Sequence, residues 1–330
     1  MKTNNDNGAA VSSEELRQAW QELKTRTPHL YARDAARQLG VPEARLIALG
    51  NGDTSFRLHI PDYAAFFNGL AQFGETLVLA RNDGAVLEKD SVLHFEEKDH
   101  YFIATGDGVR LAFGKASLAH VFVVHAEKWV RRGIQFFDAS GNAVFKLYFR
   151  DDAKIPAFDE WIKPWLSADQ SPALATIPVP APALPPTHCG AHAHEGTSGH
   201  CGAHKSVATL INLPPESYKT LLEAAAKSGE PITLSLANAN SFFSVTATIQ
   251  KTAPSGPWFN ILDDTLHMHL SVDAVKSASA FLGAASSGDI TDAASRELKV
   301  AFKNSTGASI LWIRIAAEGP SAIETLKSKI

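Results

Sequence analysis

The chain is poor in sulfur-containing residues and lacks long apolar segments. It has two cysteines and two methionines among 330 residues, and both cysteines lie in one glycine-rich segment, which excludes a disulfide framework. No uninterrupted run of about 18 apolar residues is present, so the sequence predicts no membrane insertion. The polar start, Met1 to Gly8, lacks the apolar core of a secretory signal. We therefore expect a cytoplasmic protein whose thiols are reduced.

Charge and motif content exclude further classes of function. A formal net charge of -4 gives nucleic acid no electrostatic reason to bind. Hydrophobic residues make up 45% of the chain and charged residues 20%, as in a globular protein long enough for two domains. The sequence has no nucleophile elbow, phosphate-binding loop or dinucleotide fingerprint. An enzyme built on this chain would therefore take its chemistry from a bound cofactor.

The two halves of the chain resemble each other. With an offset of 155 residues, Tyr63 falls on Tyr218 and Leu79 falls on Leu234. Short apolar strands and flanking helical patterns recur in both halves. This internal duplication predicts an α+β protein of two pseudo-symmetric repeats, each an antiparallel β-sheet with flanking helices.

Changes in composition set the predicted boundaries. Ser12 or Ser13 ahead of Glu14 and Glu15 predicts the capped start of a first helix. Six prolines between residues 172 and 186 predict an extended spacer. The predicted segments are a disordered N-terminus at 1–11, a first repeat at 12–168, a Pro-rich and His/Cys-rich linker at 169–206, and a second repeat at 207–330.

The linker carries a cluster of metal-ligating residues. The pentapeptide His-Cys-Gly-Ala-His occurs twice, starting at His188 and at His200. Imidazole and thiolate bind soft and borderline metals, including haem iron, and no packing requirement produces such a cluster. The candidate ligands are His188, Cys189, His192, His194, His200, Cys201 and His204.

Several separate motifs resemble the HemS/ChuS haemin-degrading and haem-trafficking proteins. In the first half they are Tyr31 to Ala36, Gly74 to Asn82 and Gly133 to Phe149, and in the second half Gly256 to Asp263 and Leu266 to Leu270. The resemblance covers roughly residues 14–166 and 207–330. It implies a cytoplasmic protein that accepts imported haem, then hands it on or opens the ring. A haem importer or a haem-accepting protein is the partner that it implies.

The resemblance also implies where haem binds. In this family, arginines from both repeats lie near the haem propionates, and Arg110 and Arg314 stand at the matching positions of this chain. A guanidinium that binds a carboxylate through two hydrogen bonds suits a propionate.

The chain departs from the family at both histidine positions. The family's second repeat opens with a helical motif that supplies the axial histidine, and here the Pro-rich spacer and the His/Cys cluster occupy that interval. A further family histidine, in the first repeat, is replaced by Leu87. The axial ligand of haem therefore stays open.

Three alternatives follow for the cluster. In the first, a linker histidine binds the haem iron from a flexible arm, and the candidates are His188, His192, His194, His200 and His204. A thiolate of Cys189 or Cys201 is the less favoured ligand. In the second, the cluster binds zinc or another divalent metal through two thiolates and two imidazoles. In the third, the segment is a linker with incidental metal affinity.

Candidates outside the linker complete the prediction. His267 and His269 alternate with apolar residues, so they share one face of a predicted strand and are possible haem ligands. We interpret Phe259, Trp258 and Trp312 as core residues rather than porphyrin contacts. The sequence predicts a haem-binding protein that traffics or degrades haem, with a non-enzymatic metal-binding or metal-chaperone protein as the alternative. It leaves open whether the chain is an enzyme.

Overall fold

The structure, a computed structural model, describes residues 11–28, 30–125, 132–177, 209–284 and 296–316. The fold is α+β, as predicted, with antiparallel sheets and a small number of helices. Within those ranges, no helix combines the length and the apolar character needed to cross a bilayer. The predicted disordered N-terminus, except Val11, and the His/Cys cluster lie outside the described residues.

The helices and strands are numbered in chain order. The helices are α1 (Ser13–Arg26), α2 (Ala32–Leu39), α3 (Glu43–Ala48), α4 (Tyr63–Leu70), α5 (Ile155–Ile162) and α6 (Ser217–Ser228). The strands before the linker are β1 (Ser55–Arg57), β2 (Glu75–Arg81), β3 (Ala85–Val92), β4 (His94–Glu97), β5 (Tyr101–Gly106), β6 (Val109–Gly114), β7 (His120–Val124), β8 (Gly133–Phe137) and β9 (Ala143–Phe149). The strands after it are β10 (Thr209–Leu213), β11 (Ile232–Ala237), β12 (Ser241–Ala247), β13 (Trp258–Leu262), β14 (Leu266–Ser271), β15 (Ser277–Ala284), β16 (Arg296–Lys303) and β17 (Ser309–Ala316).

The described residues form two compact units. Unit 1 comprises those within Met1–Phe66 and Ala116–Pro180, and unit 2 those within Phe67–Lys115 and Ala181–Ile330. The units differ from the two sequence repeats, because Phe67–Lys115 of the first repeat groups with the strands of the second. The repeat boundaries themselves stay a prediction.

In unit 1 the antiparallel strands β1, β7, β8 and β9 pair in that order. Helices α3 and α5 pack against these strands, and α1 and α2 pack with α3 in a separate apolar cluster. Phe66, Phe136 and Phe145 form part of its aromatic core, with Trp161 and Trp165 at its margin. Of the two predicted caps, Ser12 is the one that caps α1, and it exchanges hydrogen bonds with Glu15.

Unit 2 contains two sets of paired strands. The large sheet has the order β10–β15–β16–β17–β11–β12–β6–β5–β4, and the small sheet has the order β2–β3–β14–β13. Buried apolar residues alternate with more exposed ones along β14 of the small sheet and along β17 of the large sheet, so each sheet has one buried apolar face. Residues on the opposite faces supply the candidate sites described below.

The element order of the first repeat recurs in the second. β10, α6, β11 and β12 repeat β1, α4, β2 and β3, and β13 and β14 repeat β5 and β6. Within unit 2 the hairpins are exchanged, because β14 pairs with β3 and β6 pairs with β12. Each sheet of unit 2 therefore contains strands from both repeats.

The structure corrects the offset between the repeats by one residue in this region. Asn82 and Asn238 each accept two backbone N–H bonds in the turn that follows β2 or β11, so they are equivalent at an offset of 156. Leu79 therefore corresponds to Ser235 and not to Leu234. The physical reason is strand alternation, because Leu234 lies on the buried face and Leu79 on the opposite face of its strand.

Candidate functional site

The face of the large sheet opposite its apolar core carries a group of cationic and aromatic side chains, called the basic face here. Arg110 on β6, Lys299 on β16 and Arg314 on β17 supply the positive charges, and Phe242 and Trp312 supply the rings. Strand pairing places them on one face, because Arg110 lies opposite Ser244, Ser244 opposite Ser235, and Ser235 opposite Trp312.

The structure brings the two predicted arginines together on this face. Arg314 is paired with Thr233 on β11 and with Lys299 on β16. This row of paired residues is displaced by two residues along the strands from the row that contains Arg110. Three strand intervals separate β6 from β17, which puts the two arginine backbones roughly 15 Å apart. Both arginines are half-buried. That spacing allows both guanidinium groups to bind acidic groups on one extended ligand.

Aromatic and small residues share the basic face with the two arginines. The rings of Phe242 and Trp312 have centroids 6.3 Å apart and are tilted by 50° to each other. Trp312 is half-buried on the basic face, so its interpretation as a core residue is wrong. The hydroxyl of Ser235 is buried and has no hydrogen-bond partner among the described residues. The face therefore combines apolar contact area with an unsatisfied polar group.

A histidine that the sequence reasoning missed lies on the basic face. His94 on β4 is opposite Thr105 on β5, and Thr105 is opposite Arg110. His94 is exposed, whereas its neighbour Phe95 stacks on the core ring of Phe67. The alternation of core and outward residues in β4 could have predicted that His94 faces away from the core. The strand has too few residues for that alternation to be recognised in the sequence.

His267 and His269 lie on the small sheet and not with the two arginines. Both project from the same face of β14, and their ring centroids are 6.5 Å apart. The Nδ1 atom of His267 is 3.4 Å from Oε2 of Glu88, and Nδ1 of His269 is 2.8 Å from Oδ1 of Asn260. We call these four side chains the histidine face.

Burial lowers the pKa of His269. The Glu88 carboxylate acts in the opposite direction, while His267 and Arg81 also lower the pKa. His269 is therefore mostly neutral at pH 7, with a basic lone pair on one of its two ring nitrogens.

The remaining sequence candidates have different outcomes. Phe259 is a core residue, as interpreted, and Trp258 is 36% exposed, so its interpretation as a core residue is wrong. The linker candidates, from His188 to His204, lie outside the described residues. Among the residues that the structure does describe, no group of three or more His, Cys, Asp or Glu side chains is arranged to hold a metal ion.

Comparisons with known proteins give a family match and two curated relatives. The family model described as the haemin-degrading HemS.ChuX domain matches residues 40–165 and 200–291. The hemin transport protein HmuS of Yersinia pestis is 24% identical over 286 residues, which cover 79% of this chain and 82% of that protein. HemS of Yersinia enterocolitica, another hemin transport protein, is 23% identical over 285 residues, which cover 78% of this chain and 81% of that protein.

Solved structures share the fold. Apo-PhuS, a heme-binding protein from Pseudomonas aeruginosa, superimposes with a TM-score of 0.76 at 24% identity, covering 94% of this chain and 95% of that one. The heme degrading enzyme ChuS of Escherichia coli O157:H7 gives a TM-score of 0.76 at 20% identity, covering 96% and 99%. Because the family model matches well over half of its residues, this chain belongs to the haemin-degrading HemS.ChuX family.

Proposed function

We propose that the chain binds haem on the basic face of the large sheet and either transfers it or opens its ring. The observation that carries the proposal is the placement of Arg110, Arg314 and Lys299 on one face together with two aromatic rings. Membership of the family supports haem as the ligand. A metal-chaperone function without haem has no comparable support.

The residues of the basic face suit the chemistry of haem. Its two propionates are carboxylates, and charge-assisted bonds from guanidinium groups are among the strongest that proteins make to carboxylates. Phe242 and Trp312 offer apolar surface to a porphyrin. When bound, haem supplies an iron that can activate oxygen. The protein's own contribution is to hold the carboxylates, to orient the ring and to limit the access of water.

The axial ligand divides the proposal into two versions. In the first, a linker histidine, of which His188, His192 and His194 come earliest in the chain, binds the iron. In the second, His94 does so, since it shares the basic face with Arg110 across two strand intervals, or about 10 Å. We favour the linker because it occupies the interval in which the family carries its axial histidine.

A haemin titration followed by Soret absorbance tests the proposal. The parent chain should bind one haem in a saturable way, and Arg110→Ala and Arg314→Ala should each weaken binding by about 10- to 100-fold, the loss of one charge-assisted bond. A variant with all five linker histidines replaced by alanine should lose the axial-ligand spectrum, and His94→Ala should keep it. The reverse pattern would assign the iron to His94. Absence of saturable binding by the parent would exclude the proposal.

A second experiment separates transfer from degradation. Haem-loaded protein is given ascorbate in air, and the Soret band is followed with analysis of the products. Loss of the band with ring-opened product identifies an enzyme, and a stable band identifies a carrier. The cytoplasmic location, the importer that would deliver haem and the protein that would accept it belong to the same proposal.

The repeated His-Cys-Gly-Ala-His sequence favours a second candidate function for the linker, which is to bind zinc or another divalent metal through Cys189, Cys201 and neighbouring histidines. Zinc titration of the parent and of a Cys189→Ser/Cys201→Ser variant tests it. Equal zinc affinity in the two proteins would exclude a thiolate site.

A further inference from the structure

We propose that the histidine face of the small sheet is a binding site for a single divalent transition-metal ion, held by the Nε2 atoms of His267 and His269. The site uses residues other than those of the basic face and of the linker cluster. The chemical class is an imidazole-preferring ion such as Zn²⁺ or Ni²⁺.

The hydrogen bonds around His269 fix which ring nitrogen carries the lone pair. Nδ2 of Asn260 donates to the carbonyl of Ala253 at 2.8 Å, which orients the amide so that its Oδ1 atom faces His269. Nδ1 of His269 lies 2.8 Å from that oxygen and must therefore donate its proton. In the neutral ring, the lone pair is then on Nε2. This is the arrangement in which a side-chain oxygen orients a metal-binding histidine.

A carboxylate lies near the Nδ1 atom of His267. Oε2 of Glu88 lies 3.4 Å from Nδ1 of His267, on the neighbouring strand β3. A carboxylate at Nδ1 makes the ring a better donor at Nε2 and favours a bound cation. The side chain of His267 is 35% exposed, so an ion can reach it from solvent.

The two rings are placed to share one ion. They stand two residues apart on one strand, on the same face, with centroids 6.5 Å apart. A metal–nitrogen bond of about 2.0–2.1 Å requires the rings to turn slightly toward each other. No third His, Cys, Asp or Glu among the described residues completes a ready-made cluster, so water or a small anion takes the remaining positions. This predicts a site of moderate affinity that exchanges its ion.

The internal repeat shows that this face has diverged from its counterpart. The hairpin of β13 and β14 repeats the hairpin of β5 and β6 at an offset of 157 residues. Leu262 lies opposite His267 in one hairpin, and Thr105 lies opposite Arg110 in the other. His267 thus occupies the position that holds Arg110 on the basic face. Likewise Glu88 faces His267 where Ser244 faces Arg110. At this position the first repeat carries Arg110, a cation that suits acidic groups. The second repeat carries His267, an imidazole that can bind a metal ion and that lies beside the Glu88 carboxylate.

Zinc binding by the full-length chain tests the site, with the linker removed as a competing site. The starting protein carries all five linker histidines as alanine and both cysteines as serine. Isothermal titration with Zn²⁺ should give one equivalent bound. Adding His267→Ala or His269→Ala should abolish that binding, and Asn260→Ala should weaken it by about 10- to 100-fold. His100→Ala, which removes an exposed histidine of unit 2, is the matched control and should leave zinc affinity unchanged.

Thermal unfolding of each variant by circular dichroism establishes that it is folded before titration. A folded starting protein that binds no Zn²⁺, or one whose binding survives both histidine substitutions, would overturn the proposal. So would a Soret band in haemin titrations that depends on His269, because the histidine face would then hold haem iron instead of a free ion. Failure of haem binding on the basic face leaves the zinc result unaffected, so the two proposals fail separately.

Discussion

Asn82 and Asn238 hold the turns after β2 and β11 together by reciprocal hydrogen bonds. Nδ2 of Asn82 donates to the carbonyl of Ala237 at 3.1 Å and to that of Ile310 at 2.9 Å. Nδ2 of Asn238 donates to the carbonyl of Arg81 at 3.3 Å. Each asparagine thus binds the residue before the other, which marks a local two-fold relationship between the repeats within unit 2.

Replacing Asn82 by alanine should destabilise the protein by about 2–3 kcal/mol. The substitution leaves the carbonyls of Ala237 and Ile310 without their donor and the N–H groups of Gly84 and Ala85 without their acceptor. Chemical denaturation of parent and variant measures the change in the free energy of unfolding.

Asn82→Asp is the matched control for that experiment. It keeps the acceptor for the turn but replaces the donating nitrogen by a carboxylate oxygen that faces the carbonyls of Ala237 and Ile310, so its free energy of unfolding should be no higher than that of Asn82→Ala. An Asn82→Ala protein as stable as the parent would show that the reciprocal bonds do not stabilise the fold.

Local elements were predictable because their signals are local. The capped start of α1 was predicted from Ser12 or Ser13 and the glutamates that follow, and Ser12 is the cap. The exchange of hairpins between repeats was not predictable, because strand alternation shows which residues share a face and not which strand lies alongside. For the same reason the sequence did not separate His267 and His269 from Arg110 and Arg314, and it did not associate His94 with Arg110.

Lysine in place of arginine should show whether Arg314 binds a carboxylate through two parallel hydrogen bonds. Arg314→Lys keeps the positive charge next to Lys299 but loses the planar fork, so haemin affinity should fall, though less than in Arg314→Ala. Haemin titrations of the two variants and of the parent, at one salt concentration, measure the order. Equal affinity of Arg314→Lys and the parent would indicate a purely electrostatic role.

A buried ion pair in unit 1 gives a separate test of the fold. Nζ of Lys146 on β9 contacts Oε1 of Glu43 in α3, and the two side chains are 9% and 4% exposed. Lys146→Met should cost about 3–5 kcal/mol, because it leaves the Glu43 carboxylate buried without its partner. Denaturation curves of Glu43→Leu, Lys146→Met and the double variant measure the coupling. The double variant should lose less free energy of unfolding than the sum of the losses in the two single variants. Strict additivity would contradict direct coupling.

The stability of the protein should fall as the pH drops below about 6.5, and His120 should contribute to that fall. Burial lowers the pKa of His120 from its ordinary value of 6.5, and the nearby Arg57 guanidinium lowers it further. The bond to the Ala139 carbonyl and the Asp138 carboxylate act in the opposite direction without cancelling the shift.

The sign of the pH effect follows from these pKa values. The unfolded chain takes up a proton on His120 near pH 6.5, whereas the folded protein does so only at lower pH, so acidification favours the unfolded state. Above pH 6.5 the ring is neutral in both states and the contribution is constant. In His120→Leu, the loss of stability between pH 7.5 and 5.5 should therefore be smaller than in the parent. Urea denaturation at both pH values measures the difference. Burial also lowers the pKa values of His125 and His269, so these residues contribute to the slope that remains. Identical pH slopes in parent and variant would show that His120 accepts its proton equally readily in the folded and unfolded states.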